Sequence, residues 1–156
     1  MTQPHLKSLL QDKDMLADTL AVDIVSAEKS IYSGRAKMVI ASGEAGEMGI
    51  LPGHTQLLSA IKPGEVRLVD LAGHETSFYV SGGFIEVQPH IVTILADTVM
   101  RAEEIDEERA LEAKEHAEKV LASKATDDYA AALAELSKAI AQIRLAKKAH
   151  QHARKH

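Results

Sequence analysis

Cysteine is absent from the 156-residue sequence. That excludes a disulfide framework, an iron–sulfur centre, a thiolate zinc site and a thiol nucleophile. Tryptophan is absent too, and three tyrosines and two phenylalanines are the whole aromatic complement. So few rings leave little for a single nucleic-acid strand to stack on. Basic charge is in deficit, with 18 Lys and Arg against 23 Asp and Glu for a net charge of −5, which argues against general nucleic-acid binding. No apolar run approaches the ~18 residues of a bilayer-spanning helix. The first twenty residues lack the apolar centre of a secretory leader, so a soluble chain of the cytoplasm is expected. The whole chain, 46% apolar and 26% charged, has globular composition, and its length suits one ordinary domain or a small one plus an appendage.

Glycine and proline are missing from one half only. All nine glycines fall between Gly34 and Gly83, and the last proline is Pro89. These residues punctuate turns and disfavour helix interiors, so the front half should be strands and turns and the back half helix. Period-two patterning agrees: Val22/Ile24, Met38/Ile40, Val66/Leu68, Thr76/Phe78/Val80, Ile85/Val87 and Ile91/Thr93/Leu95 each share a face. Turn material separates them at Gly43 to Gly49, Pro52-Gly53, Pro63-Gly64 and Gly82-Gly83, which predicts an antiparallel sandwich or barrel.

The back half reads as two antiparallel helices. The first is expected from about Glu103 to Ala122, with acids at its amino end as the helix dipole favours. Ser123-Lys124-Ala125 reads as a connector and Thr126 as the N-cap of the second helix. Tyr129, Leu133, Leu136, Ile140 and Ile143 form a heptad stripe expected to meet the alanine stripe Ala110, Ala113, Ala117. With few large apolar side chains, such a hairpin should be marginal alone and need the sandwich or a partner. Past Ile140 there is no acid, only Arg144, Lys147, Lys148, Arg154, Lys155 and three histidines. Such a tail suits the helix dipole, and it also suits docking on an acidic surface.

Motifs for chemistry are few. The run from Gly43 to Gly49 lacks the Gly-Lys-Ser/Thr ending of a phosphate loop. No His-Glu-x-x-His pair or nucleophile motif occurs, and His54 reads as a turn or partner-contact residue rather than the centre of a small hydrolase. His150-x-His152 with His156 is too loosely spaced to predict a metal site. Asp106 and Arg109 share a helical face, where an ion pair is the ordinary outcome and a nucleotide site the sharper one.

Six segments in order carry a resemblance: Asp23-Ile24-Val25-Ser26-Ala27-Glu28; Gly46-Glu47-Met48-Gly49-Ile50-Leu51-Pro52-Gly53-His54; Ile61-Lys62-Pro63-Gly64; Val80-Ser81-Gly82-Gly83-Phe84-Ile85-Glu86-Val87-Gln88-Pro89; Thr93-Ile94-Leu95-Ala96-Asp97; and Ile105-Asp106-x-x-Arg109-Ala110. Together the chain resembles the epsilon subunits of bacterial F-type ATP synthases. The resemblance implies an all-β flattened sandwich of about ten strands followed by an α-helical antiparallel hairpin. The expected divisions are an N-terminal extension (1–20), a β-sandwich domain (21–100) and a helical hairpin with basic tail (101–156).

The implied function is that of a non-catalytic central-stalk subunit on the cytoplasmic face of the inner membrane. It would bind the gamma subunit and the c-ring, coupling proton flow to ATP synthesis. Ser26, Glu47 and His54 are the implied interface residues, with Glu47 facing the ring loops. The helices of family members can also enter the alpha/beta catalytic hexamer and block ATP hydrolysis, which makes Arg144, Lys147 and Lys148 the implied inhibitory bases. Some members bind ATP through the helix-entry motif, here Ile105, Asp106, Arg109 and Ala110. This sequence has Met100 where those members carry an acid, and Lys138 and Gln142 where they carry arginines. Two lost phosphate contacts at ~1.5–3 kcal/mol each predict weak ATP binding or none. A free ATP-responsive module is the alternative reading; no other cofactor is expected.

Overall fold

The computed structural model describes residues 17–123 and 129–154. Residues 1–16, the expected N-cap Thr126, and Lys155 with His156 lie outside the described residues. The described chain runs through β1 (Leu20–Ser26), β2 (Ser30–Ala36), β3 (Met38–Gly43), β4 (Gly46–Ile50), β5 (Leu57–Val69), β6 (Glu75–Val80), β7 (Gly83–Val87), β8 (Ile91–Ala96) and β9 (Val99–Arg101). A 3₁₀ turn (Ala102–Glu104) leads to helices α1 (Glu107–Ala122) and α2 (Tyr129–Arg154). Nine strands are described where about ten were expected, and Leu20 opens β1 rather than closing an extension. Among the described residues no helix is long and apolar enough to cross a membrane.

β5 belongs to both layers of the sandwich. Its first half, Leu57 to Ile61, pairs with β7, which continues through β8 and β1 to β2. Its second half, Gly64 to Val69, pairs with β6, and β3 lies on its other side with β4 beyond. Pro63-Gly64, expected as a turn, instead sits inside this strand where it changes partners. Proline is tolerated there because the ladder is already interrupted by a bulge. Between the layers Val22, Ile24, Val39, Val66, Phe78, Ile85, Val92 and Ile94 are sealed from solvent. Each such side chain stabilises the sandwich by ~1.5–3 kcal/mol.

Two of the shared faces expected from the sequence turn out to be outer faces rather than core faces. β8 is apolar on both sides, and its register is set by a parallel pairing with β1 that aligns Val22 with Val92 and Ile24 with Ile94. Val92 and Ile94 therefore point inward, leaving Ile91 and Leu95 on the outer surface. That parallel pair also departs from an all-antiparallel sheet. In β3 the core phase is Val39 and Ala41, so Met38 and Ile40 lie on the opposite face.

The helices dock on the outer side of β5 and β6. Tyr79, which alternates with the inward Phe78, packs there with Ile105, Leu145 and Ala146, flanked by Met100 and Ala141. The expected heptad stripe does not fill the helix interface: Tyr129, Leu133 and Ile140 stay exposed. Alanines meet instead, Ala110 and Ala117 of α1 with Ala132 and Ala139 of α2, all buried. Small side chains let the axes approach closely, which displaces the larger ones to the flank.

Candidate functional site

The start of α1 is built differently from the expected helix at Glu103. Ile105 is extended and buried under α2, and Asp106 is the N-cap, its carboxylate accepting from the Arg109 backbone N–H at 3.2 Å. No Asp106–Arg109 side-chain ion pair forms, because capping claims the carboxylate. Asp106, Arg109 and Ala110 line a cavity of about 370 Å³ between the helices and β9. Met100, Lys138 and Gln142 line the same cavity, so these sequence-distant positions converge. Ile105 does not reach it. Glu104 and Glu135, which the sequence did not single out, add carboxylates, so three acids oppose two cations. That balance disfavours a polyphosphate.

The three implied interface residues do not form one patch. Ser26 closes the β1–β2 turn, its Oγ donating to the Lys29 carbonyl at 3.1 Å. The row Ser26–Ala96–Gly83–Ile61–Gly43 runs across five paired strands, which puts Ser26 and the β3–β4 turn before Glu47 at one end of the sheet. His54 follows the Pro52-Gly53 turn, where the Gly53 N–H donates to the Pro89 carbonyl at the far ends of β7 and β8. A strand's length separates the two ends, ~15 Å at about 3.3 Å per residue. Glu47 is exposed, and the Nδ1 of His54 is held by the Thr55 carbonyl at 2.7 Å.

The three implied inhibitory bases also differ from one another. Lys147 is exposed on α2, whereas Lys148 is tied to the sandwich, donating to Glu65 Oε1 at 2.9 Å. The same oxygen accepts from Ser77 Oγ at 2.7 Å. At the adjoining turn, His150 Nδ1 lies 3.5 Å from Glu107 of α1. Glu65 and Tyr79 therefore hold the hairpin, yet sequence patterning hides both. Glu65 reads as an ordinary polar outward residue of a strand; the only signal was apolar side chains on both faces of Phe78-Tyr79-Val80, which implies cover on both sides.

Burial pushes the Glu65 carboxyl up, but hydrogen bonds from Lys148 and Ser77 and the charges of Lys148 and Arg67 outweigh it, so its pKa falls below the ordinary 4.5. A lowered carboxylate contributes stability that is complete above its ordinary value and is lost as pH falls through the folded value. Acidification below pH 4.5 should therefore loosen the end of α2. Glu65→Gln should do so at neutral pH, by about 1 kcal/mol given the partial exposure of Lys148. Hydrogen exchange of the α2 amides measures both effects, and the variant should no longer respond to acid.

Two families match in order: ATP synthase, Delta/Epsilon chain, beta-sandwich domain, over residues 19–102, and ATP synthase, Delta/Epsilon chain, long alpha-helix domain, over residues 103–147. The ATP synthase epsilon chain of Thioalkalivibrio sulfidiphilus is 53% identical over 89% of this chain and 100% of its own length. That of Nitrosococcus oceani is 55% identical over 83% of this chain and 93% of its own. A chain of the Euglena gracilis mitochondrial ATP synthase OSCP/F1/c-ring assembly shares the fold, with a TM-score of 0.73 at 23% identity over 86% of this chain and 82% of that one. With both halves matched in sequence order and relatives more than half identical along nearly their whole length, the chain belongs to the ATP synthase delta/epsilon family as a non-catalytic chain of the epsilon type.

Proposed function

We propose that the chain is a central-stalk subunit of a bacterial proton-driven ATP synthase. In this reading its sandwich binds the gamma subunit and the c-ring, and its hairpin restrains ATP hydrolysis from within the alpha/beta hexamer. It sits at the cytoplasmic face of the inner membrane, held there only through the complex. One observation carries the reading: the sandwich face away from the helices exposes several large apolar side chains. Leu95 is 51% exposed and pairs with Phe84, 57% exposed, while Ile91 and Leu58 extend the same face. Large apolar side chains grouped on one face, with Glu86 and Thr93 among them, suit a protein partner with a polar rim. The exposed Tyr129, Leu133 and Ile140 of α2 support the second half of the reading, since they give the hairpin a surface to bury elsewhere.

Co-purification with gamma tests the first half. The full chain should retain gamma, and Phe84→Asp should lose it while the sandwich stays folded, because Phe84 lies outside the core. Removing the residues after Ser123 tests the second half. ATP hydrolysis by the assembled enzyme should rise several-fold, and unchanged hydrolysis would refute inhibition while leaving coupling intact. The ATP-responsive module is the second reading: Asp106, Arg109 and Lys138 converge on one cavity, against the acidic balance that Glu104 and Glu135 give it. Sub-millimolar ATP binding by the isolated chain, measured by calorimetry, would select it.

A further inference from the structure

A second cavity, about 350 Å³, lies between the outer face of β3 and β5 and the last turns of α2, and shares no lining residue with the cavity around Asp106. Arg67 of β5 lines it from the sandwich, and Arg144 and Lys148, one helical turn apart, line it from the hairpin. Glu47 and Glu65 are its carboxylates. Glu65 is already engaged by Lys148 and Ser77, which among the described residues leaves Glu47 as the one free carboxylate of the cavity beside Arg67 and Arg144. The Arg67 Nε–H is sealed from solvent without a hydrogen bond, and its ion-pair partner Glu75 stands off at 3.8 Å. Arg144 makes no hydrogen bond or ion pair among the described residues.

Three cations line the cavity against two carboxylates, one of them already engaged, so an oxygen-rich anion is favoured there. Two guanidiniums facing one space suit the tetrahedral oxygens of a phosphoryl group, because each presents a planar fork of donors. The volume is that of a small-molecule site. We propose that this cavity binds a phosphoryl group, free or carried on a small molecule, between Arg67 and Arg144. Since one arginine belongs to the sandwich and the other to the hairpin, the bound anion clamps α2 in its docked position. The clamp follows from mass action, for the site is complete only while the hairpin is down.

The test titrates the full chain with inorganic phosphate by calorimetry, with chloride holding ionic strength constant. Saturable binding to one site is expected. Arg144→Gln, an exposed helical position that folding does not depend on, should weaken it by about tenfold or more. Glu47→Gln should tighten it, and Lys138→Gln, in the other cavity, should leave it unchanged. Phosphate should also slow hydrogen exchange of the α2 amides in the parent and not in Arg144→Gln. AMP is the second arm: binding with the same Arg144 dependence assigns the site to carried phosphoryl groups as well, and AMP exclusion assigns it to the free anion. Absence of saturable binding by both probes, or binding indifferent to Arg144→Gln, overturns the proposal.

Discussion

Gly83→Ala is expected to cost the sandwich at least ~4 kcal/mol and to leave much of the protein unfolded at physiological temperature. Gly83 opens β7 at the point where that strand is flanked on both sides, paired with Ala96 of β8 and Ile61 of β5. A Cβ at this position would fall on the Leu95 carbonyl, with the Ala96 Cα beside it. Both are backbone atoms of a central strand, so no side-chain rotation relieves the overlap. The φ of 143° adds a conformation that residues with a Cβ rarely adopt. Gly73→Ala is the control. It shares a positive φ, 87°, but its Cβ would meet open space, so it should cost only ~1–2 kcal/mol. Urea unfolding followed by circular dichroism measures both. A Gly83→Ala protein within 1 kcal/mol of the parent would contradict the register of β7 on β8.

The division into a strand-rich front and a helical back was legible because glycine and proline are local signals whose effects do not depend on partners. Face assignments were less legible wherever a strand is apolar on both sides. Ile91-Val92-Thr93-Ile94-Leu95 satisfies either phase, and only the pairing of β1 with β8 decides it. The alanine contact between the helices lost to the leucine stripe in sequence because large side chains dominate a periodicity count, although close approach favours small ones. At the helix entry, Asp106 and Arg109 have the spacing of an ion pair and of a cap alike. The cap forms because the unpaired backbone N–H groups of the first turn lie nearer than the guanidinium's reach is constrained to be. Convergence of Met100, Lys138 and Gln142 on Asp106 rested on family likeness, not on spacing, since each lies on a different element or turn.

Tyr79→Ala should separate the two halves of the molecule. Tyr79 is fully buried, yet it is absent from the cluster that fills the sandwich; its neighbours are Ile105, Leu145 and Ala146, which belong to the helix entry and α2. Truncation of a buried aromatic costs ~3–5 kcal/mol, and here nearly all of it falls on attachment of the hairpin. The α2 amides should exchange orders of magnitude faster while the sandwich amides keep their protection. Tyr79→Phe should behave oppositely. The hydroxyl is buried without a proper hydrogen bond, Gln142 approaching it without completing one. Burial first, and the nearby Glu135 charge second, push its pKa up to about 12, so the phenol is neutral at any working pH and the contact fails only in strong alkali. Removing a buried, unsatisfied hydroxyl is neutral or stabilising by ~1 kcal/mol, so the phenylalanine variant should hold the hairpin at least as firmly as the parent. If the hairpin restrains the assembled enzyme, the alanine variant frees it more often and should hydrolyse ATP more slowly, with the phenylalanine variant equal to or faster than the parent. Unaltered α2 exchange in Tyr79→Ala would mean that the hairpin is held by something other than this cluster.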